Sequence, residues 1–426
     1  MCPPDGAGVS GLNILDRRIE AGVLGGRPSR SPGPSDEVRV KRDLEIIVKV
    51  TEVCNINCSY CYFFNGPDQS FRFHPKRIAA NESRGLSDYV ARAVADGLIK
   101  SVRFIIHGGE PLMMGKRAFA DFCRSLDLGA LPIPLNMSMQ TNAMLLDNEW
   151  IRILADFNFD VGVSIDGPAA YHDQHRVDHR GRGTHARTVA GIELLKQAVA
   201  DRTIRSLGAL CVVDPSRDGR IIYRHIVHEL GLRRLAFILP DGDWSTVDAE
   251  TVEAIGGYLG VVLHEWLSDD DPGIQVRSFG SMLAFALSRD AAKDSRGDAV
   301  IIGVSSDGTV GPDDAFRTTM PDLFRPENAA LNLRTSTLAD FLSLYEEGHF
   351  RGLKAPLRPK CLRCQWVSHC RGGDAPHRYD HAHGVWRESV YCEALKRIYS
   401  QLHAWMLEHG VPRRQLDAAF PPMVQA

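Results

Sequence analysis

VKVTEVCNINCSYCYF, residues 48–63, opens as an apolar strand and then spends three cysteines within eight positions, Cys54-x3-Cys58-x2-Cys61, with Tyr60 just before the last. Reduced thiols so close in sequence, at the mouth of a strand, converge on one soft metal centre, either Zn²⁺ or an iron–sulfur cluster. Three thiolates on a [4Fe–4S] cube leave one iron without a protein ligand, open to a small molecule. Zinc normally wants a fourth Cys or His close by, and none follows promptly.

Outward from this segment the chain alternates. Apolar runs at 44–50, 101–107, 135–141, 159–165, 204–213 and 233–239 read as strands. Between most of them lie helix-like stretches, among them 88–99, 148–157 and 186–200. Six β/α repeats with largely apolar strands predict an α/β fold, a parallel sheet covered by helices and curled into a partial (β/α)6 TIM-like barrel. In such sheets the chemistry sits in loops after the C-terminal strand ends, where Cys54, Cys58 and Cys61 fall. The boundaries read are a Pro/Gly/Ser-rich flexible extension over 1–42, the barrel over 43–245, a bridging region over 246–330 and a C-terminal unit over 331–426.

The whole chain, 426 residues with formal net charge −3, has no excess of Lys and Arg to displace phosphate counterions, which argues against nucleic acid as the main partner. It has no apolar run of membrane-spanning length and its N-terminus lacks a secretory plan, so a cytoplasmic address is expected. In that compartment ten cysteines are not a disulfide framework. Cys123 and Cys211 read as packed thiols, whereas Cys361-x2-Cys364-x5-Cys370, followed by Cys392, forms a second ligand group.

The motif after the first strand resembles the cluster motif of the radical S-adenosylmethionine (SAM) superfamily. The resemblance implies a [4Fe–4S] cluster on Cys54, Cys58 and Cys61 whose open iron chelates SAM, and one-electron cleavage of SAM to a 5′-deoxyadenosyl radical. HGGEP, with Gly108, Gly109, Glu110 and Pro111, is similar to the GGE motif that holds the SAM amino group in that family. By the same resemblance Ser164 contacts the SAM ribose or carboxylate region and Arg176 pairs with the carboxylate; Gln140 and Asn142 line the same site. Taken singly, polar residues at strand tips are ordinary turn chemistry. His172, His175, His179 and His185 lie in a Gly/Arg-rich stretch without a helical frame and read as solvated loop residues.

CLRCQWVSHC (361–370) with Cys392 resembles the C-terminal auxiliary-cluster domain called SPASM in radical SAM peptide maturases, which implies one closed auxiliary [4Fe–4S] cluster on Cys361, Cys364, Cys370 and Cys392. Four cysteines also suit structural zinc. The usual pattern has further cysteines for a second auxiliary cluster; here Asp313 and Asp374 stand at two of those places, so two clusters in all are expected. GGDAPHRY and SVYCEALKRIYSQL resemble a maturase branch that joins an aromatic ring to the β-carbon of a residue two positions away in a precursor peptide, forming a cyclophane. Asp241 and Asp243, in the PDGDW turn, are candidate bases for the ring proton, against the simpler reading of a solvated turn.

The implied partners are a precursor peptide and a flavodoxin- or ferredoxin-type electron donor; since the stretch before the first strand looks too short for a leader-binding domain, leader recognition is expected from the barrel, the C-terminal region or a separate leader-binding protein. Alternatives within the scaffold are oxidation of Cys or Ser to formylglycine, thioether formation and epimerisation. Outside it stand a zinc-stabilised peptide-binding module and RNA modification, the latter weakened by the charge balance.

Overall fold

Six apolar runs of the sequence form adjacent parallel strands in chain order: β1 (Arg42–Lys49), β2 (Ile99–His107), β3 (Leu135–Thr141), β4 (Asp160–Ser164), β5 (Ser206–Val212) and β6 (Arg234–Ile238). This computed structural model describes residues 41–126, 131–288, 299–324, 331–347 and 357–421; all but the last two residues of the extension read over 1–42 lie outside them. Along β1 the side chains of Leu44, Ile46 and Val48 are fully buried on one face, and the two-residue period places Glu45, Ile47 and Lys49 on the other. The register of β1 with β2 sets Lys49 directly beside His107 at the C-terminal ends.

Helices return the chain between strands: α1 (Ala80–Ala95), α2 (Lys116–Ser125), α3 (Asn148–Asp156), α4 (Ala169–His175), α5 (His185–Ala200) and α6 (Gly219–Arg224). The helix expected over 88–99 begins eight residues earlier and ends sooner. Gly97 takes a left-handed conformation (φ +68°) that stops it and frees Leu98 and Ile99 to enter β2. Phe119 of α2 packs edge-on to Trp150 of α3 (ring centroids 5.3 Å) and beside Phe159 ahead of β4 (5.8 Å). This aromatic group ties two helices to the sheet.

The sheet does not stop at the boundary read near residue 245. Beyond α7 (Ala249–Ser268), β7 (Gln275–Val276) leads into α8 (Arg277–Leu287) and pairs with β6, while β8 (Ala299–Val304) pairs in parallel with β1 at the other side. β9 (Thr309–Gly311) and β10 (Leu331–Asn332) extend that edge antiparallel, giving ten strands in the order β10-β9-β8-β1-β2-β3-β4-β5-β6-β7. These strands were missed because β7 and β10 are two residues long and β8 follows a charged stretch of sequence, RDAAKDSRGD (289–298), that carries no apolar pattern.

The C-terminal unit is bolted to the barrel through the Pro240–Trp244 turn. Tyr391 donates a hydrogen bond to the Pro240 carbonyl (3.0 Å) and the Trp244 indole donates to the Glu388 carbonyl (2.9 Å). Helix α9 (Cys392–Glu408) lies on α7, where Gly256 lets Ala394 approach closely. Among the described residues no helix is long and apolar enough to cross a membrane.

Truncating the buried Phe119 to Ala should cost about 3–5 kcal/mol, the usual range for a core aromatic. Chemical denaturation of the two proteins measures this; a loss below about 1 kcal/mol would show that the aromatic group does not hold α2 and α3 to the sheet.

Candidate active site

The cysteine loop leaves β1 and is pinned from two sides by backbone. On one side, Ile56–Cys58 pairs antiparallel with Arg176–Asp178, Cys58 opposite Arg176. On the other, the amides of Gly109 and Glu110 donate to the carbonyls of Thr51 and Val53, both at 2.9 Å. This approach explains the paired glycines: a β-carbon on Gly109 would lie 2.3 Å from the Val53 oxygen, and one on Gly108 (φ +147°) 2.4 Å from that of Thr51. The GGE segment therefore first serves the cysteine loop, chain against chain.

Within the loop Cys58 is buried, Cys54 and Cys61 are half-buried, and none of the three is in a disulfide. Burial pushes the Cys58 thiol up to about 11 and raises that of Cys54, and the neighbouring sulfurs push the same way. Such thiols become thiolates when a bound cation supplies positive charge. Three soft donors in one loop thus fit an iron–sulfur cluster.

The polar tips of β2, β3 and β4 meet around this loop. Gln140 donates to the Ser164 hydroxyl (2.8 Å), and Asn142 donates to Asn55 (2.8 Å) with its amide 4.0 Å from the Cys54 sulfur. Two other candidates already have protein partners. Glu110 is buried and accepts from the Thr141 hydroxyl (2.6 Å) and from the backbone amides of Asn142 (2.8 Å) and Leu112 (3.2 Å). Burial raises its carboxyl to about 7 against those hydrogen bonds. Arg176 pairs through Nε with Asp166 (2.8 Å), lies over the Tyr60 ring, and brings Nη1 to 3.9 Å from the Cys58 sulfur. Tyr60 also donates to Asp166, so the aromatic before the last cysteine helps to lock the loop. Pro111 starts the short turn 111–114, which the Glu110 carboxylate caps.

Of the four histidines only His179 is an exposed turn residue, as the spacing suggested; the other three are placed in helices. Residues 169–175 form α4, and His172 is fully buried, its Nδ1 accepting from the Asp166 amide and its Nε2 bonded to Thr184. His175 bonds Ser59 (2.8 Å), His179 the Cys54 carbonyl (2.9 Å) and His185 the His225 ring (3.1 Å). His175 and His179 thus brace the cysteine loop.

Sequence reasoning also missed a buried ionic group. Lys49, with no exposed surface, pairs with Asp314, which accepts from Tyr62 (2.5 Å) and Arg317 (2.5 Å); Arg317 also holds Asp68 (2.5 Å), and Lys49 lies 3.3 Å from His107. Burial would raise the Asp314 carboxyl, but Lys49 and Arg317 hold it well below the usual carboxylate range. Burial and the Lys49 charge lower His107 to about 4. A lysine ending an apolar strand was the available signal.

The two candidate bases differ. Asp243 holds its own turn, accepting from the amide and hydroxyl of Ser245 (2.8 and 2.6 Å) and pairing with His381 (3.2 Å). It thus behaves as the turn residue that the simpler reading gave. Asp241 faces a cavity; its desolvated setting and the nearby Asp314 charge raise it to about 6.

The four C-terminal cysteines line one cavity with Trp366 and Tyr399. Zinc, with Zn–S near 2.3 Å, needs its sulfurs within about 4 Å of one another. Among the described residues no three His, Cys, Asp or Glu side chains gather tightly enough for a single ion. The four thiols around one cavity are the donor set of a closed iron–sulfur cluster, and one that structural zinc also uses. Cys123 and Cys211 are buried in the core.

Residues 48–210 match the profile of the radical SAM superfamily. The chain carries a radical SAM domain and is an enzyme. Its cofactors are SAM and iron–sulfur clusters. It is 25% identical over 391 residues to the serine-type anaerobic sulfatase-maturating enzyme of Bacteroides thetaiotaomicron, covering 86% of this chain and 91% of the relative. It is likewise 25% identical over 374 residues to the cysteine-type enzyme of Clostridium perfringens, covering 84% and 95%. Among solved structures, anSMEcpe with bound AdoMet superposes with TM-score 0.70 at 21% identity, over 86% of this chain and 98% of that one. Streptococcus suis SuiB bound to S-adenosylmethionine gives 0.53 at 15%, over 83% and 75%. These structural likenesses establish that the radical SAM fold and its C-terminal extension are shared.

Two expectations follow. Gly109→Ala should displace the 51–53 backbone, so that anaerobically reconstituted protein keeps less than about half of the wild-type iron while circular dichroism stays unchanged; full iron retention would contradict the close-packing argument. Asp314→Asn leaves Lys49 and Arg317 without their shared anion and should cost about 3–5 kcal/mol at pH 7. Because the folded Asp314 is depressed, its contribution is present above about pH 4 and fades as pH falls below it, so the variant's stability should be flatter than wild type on the acid side in denaturant titrations.

Proposed function

We propose that this radical SAM enzyme is a peptide or protein maturase that acts at a side-chain β-carbon, joining it to an aromatic ring two positions away in a precursor peptide. The observation that carries the reading is the three-thiol loop at the C-terminal end of β1, clamped by the Gly108–Gly109 backbone and faced by the polar tips of β3 and β4. In this reading Cys54, Cys58 and Cys61 hold the reactive cluster, and Cys361, Cys364, Cys370 and Cys392 hold one closed auxiliary cluster. When bound, the clusters and SAM supply a hydrogen-abstracting 5′-deoxyadenosyl radical and a sink for the second electron.

The chain's own residues do the rest. Gly108, Gly109 and Pro111 shape the turn against the cysteine loop, and Gln140, Asn142 and Ser164 present hydrogen-bonding groups to SAM. Glu110 and Arg176 fix the cradle from behind, Glu110 by tying the β2 turn to the β3 tip and Arg176 by holding Asp166 and Tyr60 beside Cys58. Asp241, raised toward neutrality, accepts the proton that the ring releases as it regains aromaticity. Electrons come from a flavodoxin- or ferredoxin-type donor in the cytoplasm.

A second reading, oxidation of Cys or Ser to formylglycine on a sulfatase, is favoured by relatives that match over 84–86% of the chain. The two differ in product, since one joins two residues and the other leaves an aldehyde. Anaerobically reconstituted enzyme mixed with SAM and a strong reductant should release 5′-deoxyadenosine, and Cys58→Ala should abolish it; release that survives Cys58→Ala would overturn the site. Tandem mass spectrometry of the precursor encoded beside the gene, against a hydrazide probe for aldehydes, separates the two products.

A further inference from the structure

Between the barrel and the C-terminal unit lies a cavity of about 700 Å³, a size typical of small-ligand sites. It takes in wall from β6, α7, α8 and α9. Asp241, Asp313 and Asp374 all face it, so the two aspartates that stand in place of cluster cysteines share one space.

Several buried aspartates elsewhere in the protein have a cationic partner. Asp68, Asp166, Asp314 and Asp380 are each paired with an arginine or lysine. Among the described residues Asp241, Asp313 and Asp374 have no such partner; Asp313 accepts one backbone amide, from Ala315 (3.1 Å). His377, 7% exposed, lines the same cavity. Its ring hydrogen-bonds the Pro240 backbone, yet Nδ1 has no partner. The nitrogen that donates to a carbonyl carries the proton, so Nδ1 is a bare acceptor. Arg277, exposed on the wall, pairs with none of these groups.

The three carboxylates are all acceptors, and the group that satisfies them is a cation with several N–H donors. Phe237, Leu259 and Met282 supply apolar wall for an alkyl stem. The Asp241 end feels the charge of Asp314, which binds Tyr62 next to Cys61, so the cavity adjoins the cysteine loop.

We propose that this cavity receives a basic side chain, arginine or lysine, of the peptide being modified, and so selects which residue is presented to the reactive site. The proposal rests on the peptide-maturase reading above. Desolvation and the nearby Asp314 charge raise Asp313 to about 6, and the same two influences raise Asp241 to about 6 although its side chain is exposed.

The test is isothermal titration of reconstituted full-length enzyme with the capped tripeptide Gly-Arg-Gly and its citrulline counterpart, a near-isosteric neutral side chain. The arginine peptide should bind saturably and the citrulline peptide at least tenfold more weakly. The Asp313→Asn/Asp374→Asn variant, checked for fold by circular dichroism, should lose at least tenfold in affinity for the arginine peptide. Should the double variant not fold, Asp374→Asn at its exposed position is measured instead, with a loss of at least threefold expected. Equal binding of both peptides, no saturable binding, or affinity untouched by the substitutions overturns the proposal. Agmatine binding tighter than the tripeptide would assign the cavity to a free cation and equally overturn it. None of these readouts depends on 5′-deoxyadenosine release, so the proposal can fail while the maturase reading stands.

Discussion

The ion pair between Lys49 and Asp314 joins the two ends of the catalytic barrel. Lys49 closes β1 immediately before the cysteine loop, and Asp314 follows β9, reached only after the chain has crossed the whole sheet and returned beside β1. Two charges taken from water are stabilised only when the geometry is good and the leftover donors and acceptors are met. Here Tyr62 and Arg317 meet them for Asp314, and Asp68 meets Arg317 in turn. Tyr62 is the neighbour of Cys61, so the position of the third thiol is set by a carboxylate 252 residues further along.

The other side of the loop is held differently. Asp166 collects Tyr60, Arg176 and the Val212 amide, linking the cysteine loop to β4 and β5. Glu110 links the β2 turn to the β3 tip. The site is therefore a ring of strand tips stitched by buried carboxylates, with the cysteines in the middle.

Much of this was legible. The strands β1 to β6 were found within about two residues, because fully buried parallel strands are continuous apolar runs that nothing else in a soluble chain imitates. The cysteine spacing marked both ligand groups. What could not be read was anything depending on distant pairing. β7 and β10 are too short to carry a pattern, and they exist only because β6 and β9 offer free edges. His172 looked like a loop residue because its partners, Thr184 and the Asp166 amide, give its stretch a frame that local sequence does not. Glu110 and Arg176 were read as ligands of a cofactor, whereas much of their bonding capacity is spent on the protein. The aspartates at 313 and 374 were noticed singly, as missing cysteines, while their common cavity is a product of the fold.

The place of β8 in the sheet also bears on how the molecule is made. β1 is flanked by β2, its near neighbour in sequence, and by β8, which leaves the ribosome long afterwards. Until that second neighbour docks, Lys49 lacks its counter-ion Asp314 and Tyr62 lacks the carboxylate that fixes it beside Cys61. Contacts of such long range are slow to form because a large loop must close first. The last lock on the metal centre is thereby late in translation: a nascent chain exposes its three cysteines early, but gains the carboxylate behind Tyr62 only when nearly three-quarters of it has been synthesised.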